Sequence, residues 1–218
     1  MNTENTDVNN ATPPRLISFE GIEGSGKTTQ IKLLSAELTK RGYNILCLRE
    51  PGGTEFGEQL RASILNSKTQ IHPLAEAHLF AASRMQLIHE KILPFLDSPE
   101  NIVILDRFID SSFAYQGIAR KLGIQTVIDI HQHPPLNLMP DITFYLDIPL
   151  GTSFKRQETR GHEKDYFEKE KESFYKKLII GFEECSKRFP TRFKPIDANR
   201  AVEAVHSSIM ELLPEYLR

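Results

Sequence analysis

Residues 21–28 form the feature that most restricts how this 218-residue chain folds. Gly21, Gly26, Lys27 and Thr28 match the phosphate-binding pattern G-x-x-x-x-G-K-[ST], and an apolar segment at 16–19 comes just before it. Glycines allow the backbone to wrap around an anion, and the backbone N–H groups of such a loop bind phosphates. The pattern predicts a strand, a nucleotide-binding P-loop and a helix that begins near Lys27. A glycine-rich turn before an ordinary helix is the alternative.

Two side chains at the end of the loop are expected to act on the outer phosphates. Lys27 would reach these phosphates, and the Thr28 hydroxyl would bind Mg²⁺. Glu23 is unusual in this position, because a carboxylate repels neighbouring phosphates. The residues predicted to bind the nucleotide are Gly21, Ile22, Glu23, Gly24, Ser25, Gly26, Lys27, Thr28 and Thr29.

Composition limits the partners that the chain could have. With 27 basic and 29 acidic residues the net charge is −2, which gives no electrostatic reason to expect nucleic acid as a partner. There is no membrane-length apolar run and no signal-peptide pattern, so we expect no membrane partner. Cys47 and Cys185 have neither metal-ligand nor redox spacing, which is typical of reduced thiols in a cytoplasmic protein.

Alternating apolar and amphipathic segments predict an α/β fold with a five-stranded, mostly parallel sheet and helices on both faces. Residues 1–14, rich in Asn and Thr, are predicted to be a disordered leader before a single domain at 15–218. Strands are expected at 16–19, 43–48, 101–106, 142–148 and 192–197. The last strand is expected at an edge, because Pro195 cannot donate to a central ladder.

The predicted helices surround this sheet. They are expected at 28–41, 55–65, 73–96, 109–120, 125–131 and 201–213, with two more helices flanking a charged segment within 150–194. Ligands of such sheets bind at the carboxyl ends of the strands. That rule brings residues 20–28, 50–54 and 106–107 to one edge.

Asp106 ends the third predicted strand, where the acid of a P-loop protein helps Thr28 to hold Mg²⁺. A helix cap or loop carboxylate is the alternative. Arg107 follows at once, and a guanidinium at the phosphate edge is suited to bidentate phosphate recognition.

Three motifs together resemble the thymidylate kinase family of the bacterial type: Asp-Arg-Phe-Ile-Asp-Ser-Ser-Phe-Ala-Tyr-Gln-Gly at 106–117, Arg-Glu-Pro-Gly-Gly-Thr at 49–54, and the P-loop with Glu23. Their order and spacing match over nearly the whole chain. The resemblance implies a P-loop nucleoside monophosphate kinase fold with a helical LID at about 155–165. It also implies phosphorylation of dTMP to dTDP by ATP and Mg²⁺ in dTTP biosynthesis, and a homodimer.

The resemblance also implies an acceptor site. Phe80 and Arg84 share a helix face. The resemblance implies that Phe80 stacks on the thymine ring and that Arg84 hydrogen-bonds it. The pattern alone favours a core residue for Phe80 and an exposed charge for Arg84. Ser112 would either contact the base or only cap a helix. Tyr115 would exclude a ribose 2′-hydroxyl. Glu23 would accept a hydrogen bond from the sugar 3′-hydroxyl or approach Mg²⁺. The predicted acceptor residues are Glu23, Glu50, Phe80, Arg84, Arg107, Ser111, Ser112, Tyr115 and Gln116.

A catalytic cation is expected from the LID. Some family members carry an arginine in the P-loop where this chain has Gly24, so the resemblance implies that another segment supplies the charge. For this LID cation, Arg160 is the first choice and Arg156 the second, and Lys27 and Arg107 are the other predicted catalytic residues. Composition alone indicates that the LID is only a solvated, charged stretch. Family members commonly have the sequence Asp-Arg-x-Glu after the LID, whereas this chain has Tyr166 in place of the arginine. The sequence therefore leaves open which cation contacts the transferring phosphate.

Other interpretations are weaker. His131 and His133 form a close pair without further ligands, which favours exposed histidines over a zinc site. A kinase with another nucleotide or nucleoside acceptor remains a close alternative. A nucleotide-dependent switch is a more distant one, because the chain lacks an Asn-Lys-x-Asp motif.

Overall fold

The computed structural model describes residues 15–159, 166–167, 170, 172–213 and 217. The predicted leader at 1–14 lies outside these residues, and so does Arg160 with most of the predicted LID. The predicted domain boundaries therefore stay a prediction.

Within the described residues, five parallel strands form one sheet in the order β2–β3–β1–β4–β5. All five residues of β1 are buried, as expected for a central strand covered on both faces. Pro195 lies on β5 at the edge, opposite Tyr145, so the predicted sheet and its edge strand are confirmed. The strands are β1 (Leu16–Glu20), β2 (Asn44–Arg49), β3 (Asn101–Asp106), β4 (Ile142–Asp147) and β5 (Phe193–Asp197).

Two of the predicted helices contain π-helical segments. The helix predicted at 73–96 consists of α3 (Pro73–Leu87), a π-helical segment (Ile88–Ile92) and the short α4 (Leu93–Phe95). The helix predicted at 109–120 begins as α5 (Ile109–Ser112) and continues as a second π-helical segment (Phe113–Ala119). Such wider turns occur often at functional sites, and hydrophobic periodicity does not distinguish them from an α-helix. The remaining helices are α1 (Lys27–Lys40), α2 (Glu55–Leu65), α6 (Ile124–Ile130), α7 (Leu150–Glu158), α8 (Glu172–Arg188) and α9 (Val202–Leu212).

The strand register brings the ends of three strands together. Asp106 at the end of β3 lies opposite Phe19 on one side and Arg49 on the other. On the second π-helical segment, α8 packs so closely that a Cβ on Gly181 would lie 2.7 Å from the Cα of Ala114. This contact fixes the segment beside the carboxyl edge of the sheet, where the predicted ligand residues converge.

None of the helices in the described part of the chain combines the length and the apolar character needed to cross a bilayer. Cys47 is exposed and Cys185 is buried, and both are free thiols.

Candidate active site

A cleft of about 380 Å³ lies at the carboxyl edge of the sheet. It brings together all the residues predicted to bind the acceptor, and it also contains Lys27, Thr28 and Asp106. Gly21, Ile22 and Ser25 of the P-loop do not line it. The predicted acceptor residues in its lining are Glu23, Glu50, Phe80, Arg84, Arg107, Ser111, Ser112, Tyr115 and Gln116.

Several residues of the cleft were missed by the sequence interpretation. Arg61 and Leu65 lie on α2 and carry no motif, and Phe167 follows the predicted LID. The other missed lining residues are Arg49, Pro51 and Phe108, which lie inside or beside the quoted motifs.

The P-loop has the backbone that its glycines predict. Gly21, Gly24 and Gly26 all have positive φ angles, of 142°, 79° and 99°. The Lys27 Nζ donates to the carbonyl oxygens of Gly21 (3.0 Å) and Ile22 (3.4 Å), so the loop folds around the amine. Burial, followed by the charge of Arg107, lowers the pKa of Lys27 to about 8. Bound phosphates would stabilise the protonated form, because an anion beside an ammonium group raises its pKa.

The structure also brings together the two predicted metal ligands. The Thr28 Oγ1 donates to the Asp106 Oδ2 across 3.4 Å, and both residues line the cleft. A hydroxyl and a carboxylate supply the hard oxygen ligands that Mg²⁺ prefers, so the pair fits the predicted ion. Their metal-binding role stays a prediction.

Arg107 and Glu23 form an ion pair in the cleft. The Arg107 Nη2 donates to the Glu23 Oε1 at 2.7 Å, and the Tyr115 hydroxyl donates to the same oxygen at 3.1 Å. Burial would raise the pKa of Glu23, but Arg107 and Lys27 together hold this pKa below its usual value. The unusual carboxylate of the P-loop is therefore neutralised by the arginine expected to bind a phosphate.

Glu20, which the sequence interpretation did not select, fixes the backbone beside Arg107. Its Oε1 accepts from the N–H groups of Phe108 (2.8 Å) and Ser111 (3.1 Å), and its Oε2 accepts from the Ser111 hydroxyl (2.6 Å). Burial and the nearby Asp110 raise the pKa of Glu20 to about 7. These bonds anchor the turn in which Arg107 has a φ of 73°, an uncommon conformation for a residue other than glycine.

Arg84 is buried, so its pattern-based interpretation as an exposed charge is wrong. Only 2 % of its side chain is exposed, and its Nε and Nη2 donate to the Glu50 Oε2 at 2.8 and 2.5 Å. Its Nη1 donates to the Ser112 hydroxyl at 3.0 Å, and its guanidinium lies 5.0 Å from the centre of the Phe108 ring. Burial raises the pKa of Glu50, and the Arg84 charge opposes that rise.

His131 is also buried, so the prediction of an exposed side chain is wrong. It is 5 % exposed, and its Nε2 lies 2.8 Å from the Arg84 Nη1. His133 is exposed as predicted. Among the residues that the structure describes, no three histidine, cysteine or acidic side chains are grouped to hold a metal ion.

An aromatic wall closes one side of the cleft. The Phe167 ring lies 6.0 Å from that of Phe80 and 5.3 Å from that of Tyr115, measured between centroids. Gln116 lies nearby, where its amide donates to the buried Glu76 carboxylate at 2.8 Å. A flat ring bound in the cleft would therefore meet aromatic faces, which favour stacking.

Arg156, the second choice for the catalytic cation, reaches the P-loop. Its Nη1 donates to the carbonyl oxygen of Gly24 at 2.9 Å, and Ser153 of the same helix donates to the carbonyl oxygen of Glu23 at 2.6 Å. A Cβ on Gly24 would lie 3.2 Å from the Arg156 Cβ. The absence of a side chain at Gly24 thus leaves room for an arginine that comes from α7. Arg160, the first choice, lies outside the described residues.

Two carboxylate oxygens of the cleft are buried without a hydrogen-bond partner within the described part of the chain. They are the Glu23 Oε2 and the Glu50 Oε1. Buried polar atoms are nearly always paired in proteins, and a carboxylate oxygen accepts hydrogen bonds. The cleft therefore suits a ligand that carries donors as well as phosphates.

Comparison with known proteins identifies relatives of one kind. The family model described as thymidylate kinase matches residues 19–209. The thymidylate kinase of Caldanaerobacter subterraneus subsp. tengcongensis is 47 % identical over 204 residues, which cover 94 % of this chain and 97 % of that protein. The thymidylate kinase of a Thermoanaerobacter species is 46 % identical over 203 residues, covering 93 % of this chain and 98 % of that protein.

A solved structure agrees with these relatives. The crystal structure of thymidylate kinase from Ehrlichia chaffeensis superposes with a TM-score of 0.73 at 30 % identity. The match covers 90 % of this chain and 96 % of that one.

Proposed function

The chain belongs to the thymidylate kinase family, and we propose that its cleft transfers the γ-phosphoryl group of ATP to dTMP, giving ADP and dTDP for dTTP biosynthesis. The observation that carries this proposal is the cleft itself, in which the P-loop faces the complete set of predicted acceptor residues. A protein that only bound a nucleotide would not need this second, arginine-lined site.

ATP is the proposed donor, bound by the P-loop with Lys27 at its outer phosphates and its base near the loop at 197–200. Thr28 and Asp106 would hold Mg²⁺, which when bound neutralises charge on the phosphate oxygens. The N–H groups and the amine of the P-loop orient the γ-phosphate toward the cleft. Catalysis then depends on in-line placement and charge neutralisation.

The acceptor dTMP is proposed to lie with its phosphate on Arg107 and its thymine on Phe80. An acceptor phosphate with a second pKa of about 6 is largely doubly ionised at neutral pH, so it needs no general base. The unpartnered Oε2 of Glu23 supports acceptance of a bond from the sugar 3′-hydroxyl. Tyr115, whose hydroxyl is bonded to Glu23, would stand where it crowds out a ribose 2′-hydroxyl.

An ADP-release assay with a panel of acceptors tests this function. We expect fast turnover with dTMP, slower turnover with dUMP, and little with dCMP, dGMP or no acceptor. Preference for dCMP or dGMP would identify a kinase with another acceptor. Strong turnover without any acceptor would identify a nucleotide-dependent switch and contradict the proposal.

Arg156→Ala is expected to lower kcat by about 10²–10³-fold, the usual cost of removing one donor that stabilises charge in a transition state. The reason is that Arg156 already donates to the carbonyl oxygen of Gly24, in the loop proposed to bind the phosphates. The measurement is steady-state kinetics, with the neighbouring exposed Lys155→Ala as matched control. Arg160→Ala is compared in parallel; a large loss there, with near-normal Arg156→Ala, would return the role to Arg160.

The homodimer and the cytoplasmic location stay predictions. The family resemblance supports a homodimer, and exposed apolar side chains on α2 and along the α3–α4 helix, Phe56, Met85 and Leu93, are compatible with a contact there. Nucleotide metabolism supports the cytoplasm as the location.

A further inference from the structure

Arg84 has almost all of its hydrogen-bond donors occupied by the protein. A guanidinium carries five N–H groups. The Nε–H and one N–H of Nη2 are bound by Glu50, and the two N–H groups of Nη1 are bound by Ser112 and His131. Among the residues that the structure describes, one N–H of Nη2 therefore has no partner and remains for a ligand in the cleft that Arg84 lines.

The partners of His131 determine its protonation state. Its Nδ1 lies 2.7 Å from the carbonyl oxygen of Val127, which can only accept, so the Nδ1 carries the proton. Its Nε2 faces the Arg84 Nη1, which can only donate, so the Nε2 must be an unprotonated acceptor. Burial, reinforced by the Arg84 charge, lowers the pKa of His131 to about 4, so the ring stays neutral in ordinary buffers.

The end of α6 places this acceptor. His131 is the C-cap directly after the last residue of α6, and its Nδ1–H donates to the carbonyl of Val127 in the last turn, where carbonyls lack an intrahelical donor. One ring nitrogen is thus fixed by the backbone and the other is aimed at Arg84. A rigid ring with both nitrogens engaged holds the guanidinium in one orientation.

We propose that His131 is a positioning residue: by holding Arg84 in one orientation, it makes the site accept a 4-oxo pyrimidine and reject a 4-amino pyrimidine. The inference rests on the proposed function and adds a specificity element to it. The remaining N–H of Arg84 donates to the O4 carbonyl of thymine. The 4-amino group of cytosine also donates, so it would leave that buried N–H unpaired.

Loss of the His131 acceptor removes this constraint. A buried N–H of Nη1 then lacks a partner, so the guanidinium is expected to rotate or to admit water to recover a hydrogen bond. Arg84 would then be held by Glu50 and Ser112 without His131, and its remaining donor would be less tightly placed. The ATP side of the cleft does not involve this contact, so binding of the donor should be unaffected.

The test compares His131→Phe, which keeps a planar ring of similar size but removes the acceptor, with His133→Phe, the same change at an exposed position two residues away. We expect His131→Phe to raise the KM for dTMP by about 10-fold and to lower the dTMP-to-dCMP ratio of kcat/KM by a similar factor. This is the size of effect expected when a buried hydrogen-bond donor loses its partner. The kcat with dTMP and the KM for ATP should stay close to the parent values, and His133→Phe should resemble the parent in all respects.

His131→Gln, whose amide oxygen can accept from Arg84, is expected to recover part of the discrimination. If the phenylalanine variant does not fold, as judged by its thermal melt, the smaller His131→Leu replaces it. Unchanged discrimination in a folded Phe or Leu variant would overturn the inference while leaving the thymidylate kinase function intact. A parent protein that does not turn over dTMP would overturn the proposed function and this inference with it.

Discussion

Arg107→Ala is expected to lower kcat/KM for dTMP by about 10³-fold, through a higher KM for dTMP and a lower kcat. Arg107 lies in the cleft between the P-loop and the aromatic wall, where its guanidinium is bonded to Glu23 and Ser111. A planar guanidinium binds two oxygens of one phosphate, which both holds and aligns the acceptor. Its removal would also leave the Glu23 carboxylate to repel the incoming phosphate.

The backbone at Arg107 provides a sharp control. Its φ of 73° costs energy for any side chain but not for glycine, so Arg107→Gly removes the guanidinium while relieving the backbone. Similar losses in Arg107→Ala and Arg107→Gly would assign the effect to the side chain. Arg107→Lys should be intermediate, because it keeps the charge but not the fork. Loss of ATP affinity equal to that for dTMP would refute the role in acceptor binding.

Lys27→Met is expected to lower kcat by about 10³-fold with dTMP as acceptor, because charge on the transferring phosphate is then no longer compensated. The amine of Lys27, the first residue of α1, is fixed by the P-loop carbonyl oxygens of Gly21 and Ile22. Methionine keeps the length of the side chain without the charge.

Lys40→Met at the exposed end of the same helix is the matched control, since its amine pairs with Glu37 on the surface. Steady-state kinetics and a fluorescent ATP analogue would separate turnover from donor binding. A Lys27→Met variant with nearly normal kcat would show that the P-loop amine does not serve the transferring phosphate.

The sequence predicted the sheet well, because its signals are local. Residues 102–105 of β3 are a continuous apolar run, and all four are buried. Pro195 alone was sufficient to place β5 at an edge. The P-loop was predictable for the same reason, since its positive φ angles fall on glycines, two of which, Gly21 and Gly26, are specified by the pattern.

The support of the site could not be predicted in this way. Arg84 and His131 are 47 residues apart, and each on its own pattern resembles an exposed charge or a surface histidine. Only the packing of α3 against α6 makes them partners. Glu20 is similar, because its bonds to Phe108 and Ser111 span about ninety residues of chain.

Gly24 and α7 bear on the source of the catalytic cation. Because this chain has Gly24 where some family members have an arginine, the resemblance implies that the LID supplies the cation. The structure describes Arg156 on the P-loop, whereas the favoured Arg160 lies outside the described residues. The choice between the two thus depends on the kinetics of the paired variants.

Phosphorus NMR of a mixture of the protein, ATP, Mg²⁺ and dTMP tests the central claim most directly. We expect the α-phosphate resonance of dTMP to be replaced by the two resonances of dTDP, with one ADP formed for each dTDP. Formation of ADP together with inorganic phosphate, while dTMP remains unchanged, would contradict the claim that this cleft transfers a phosphoryl group to dTMP.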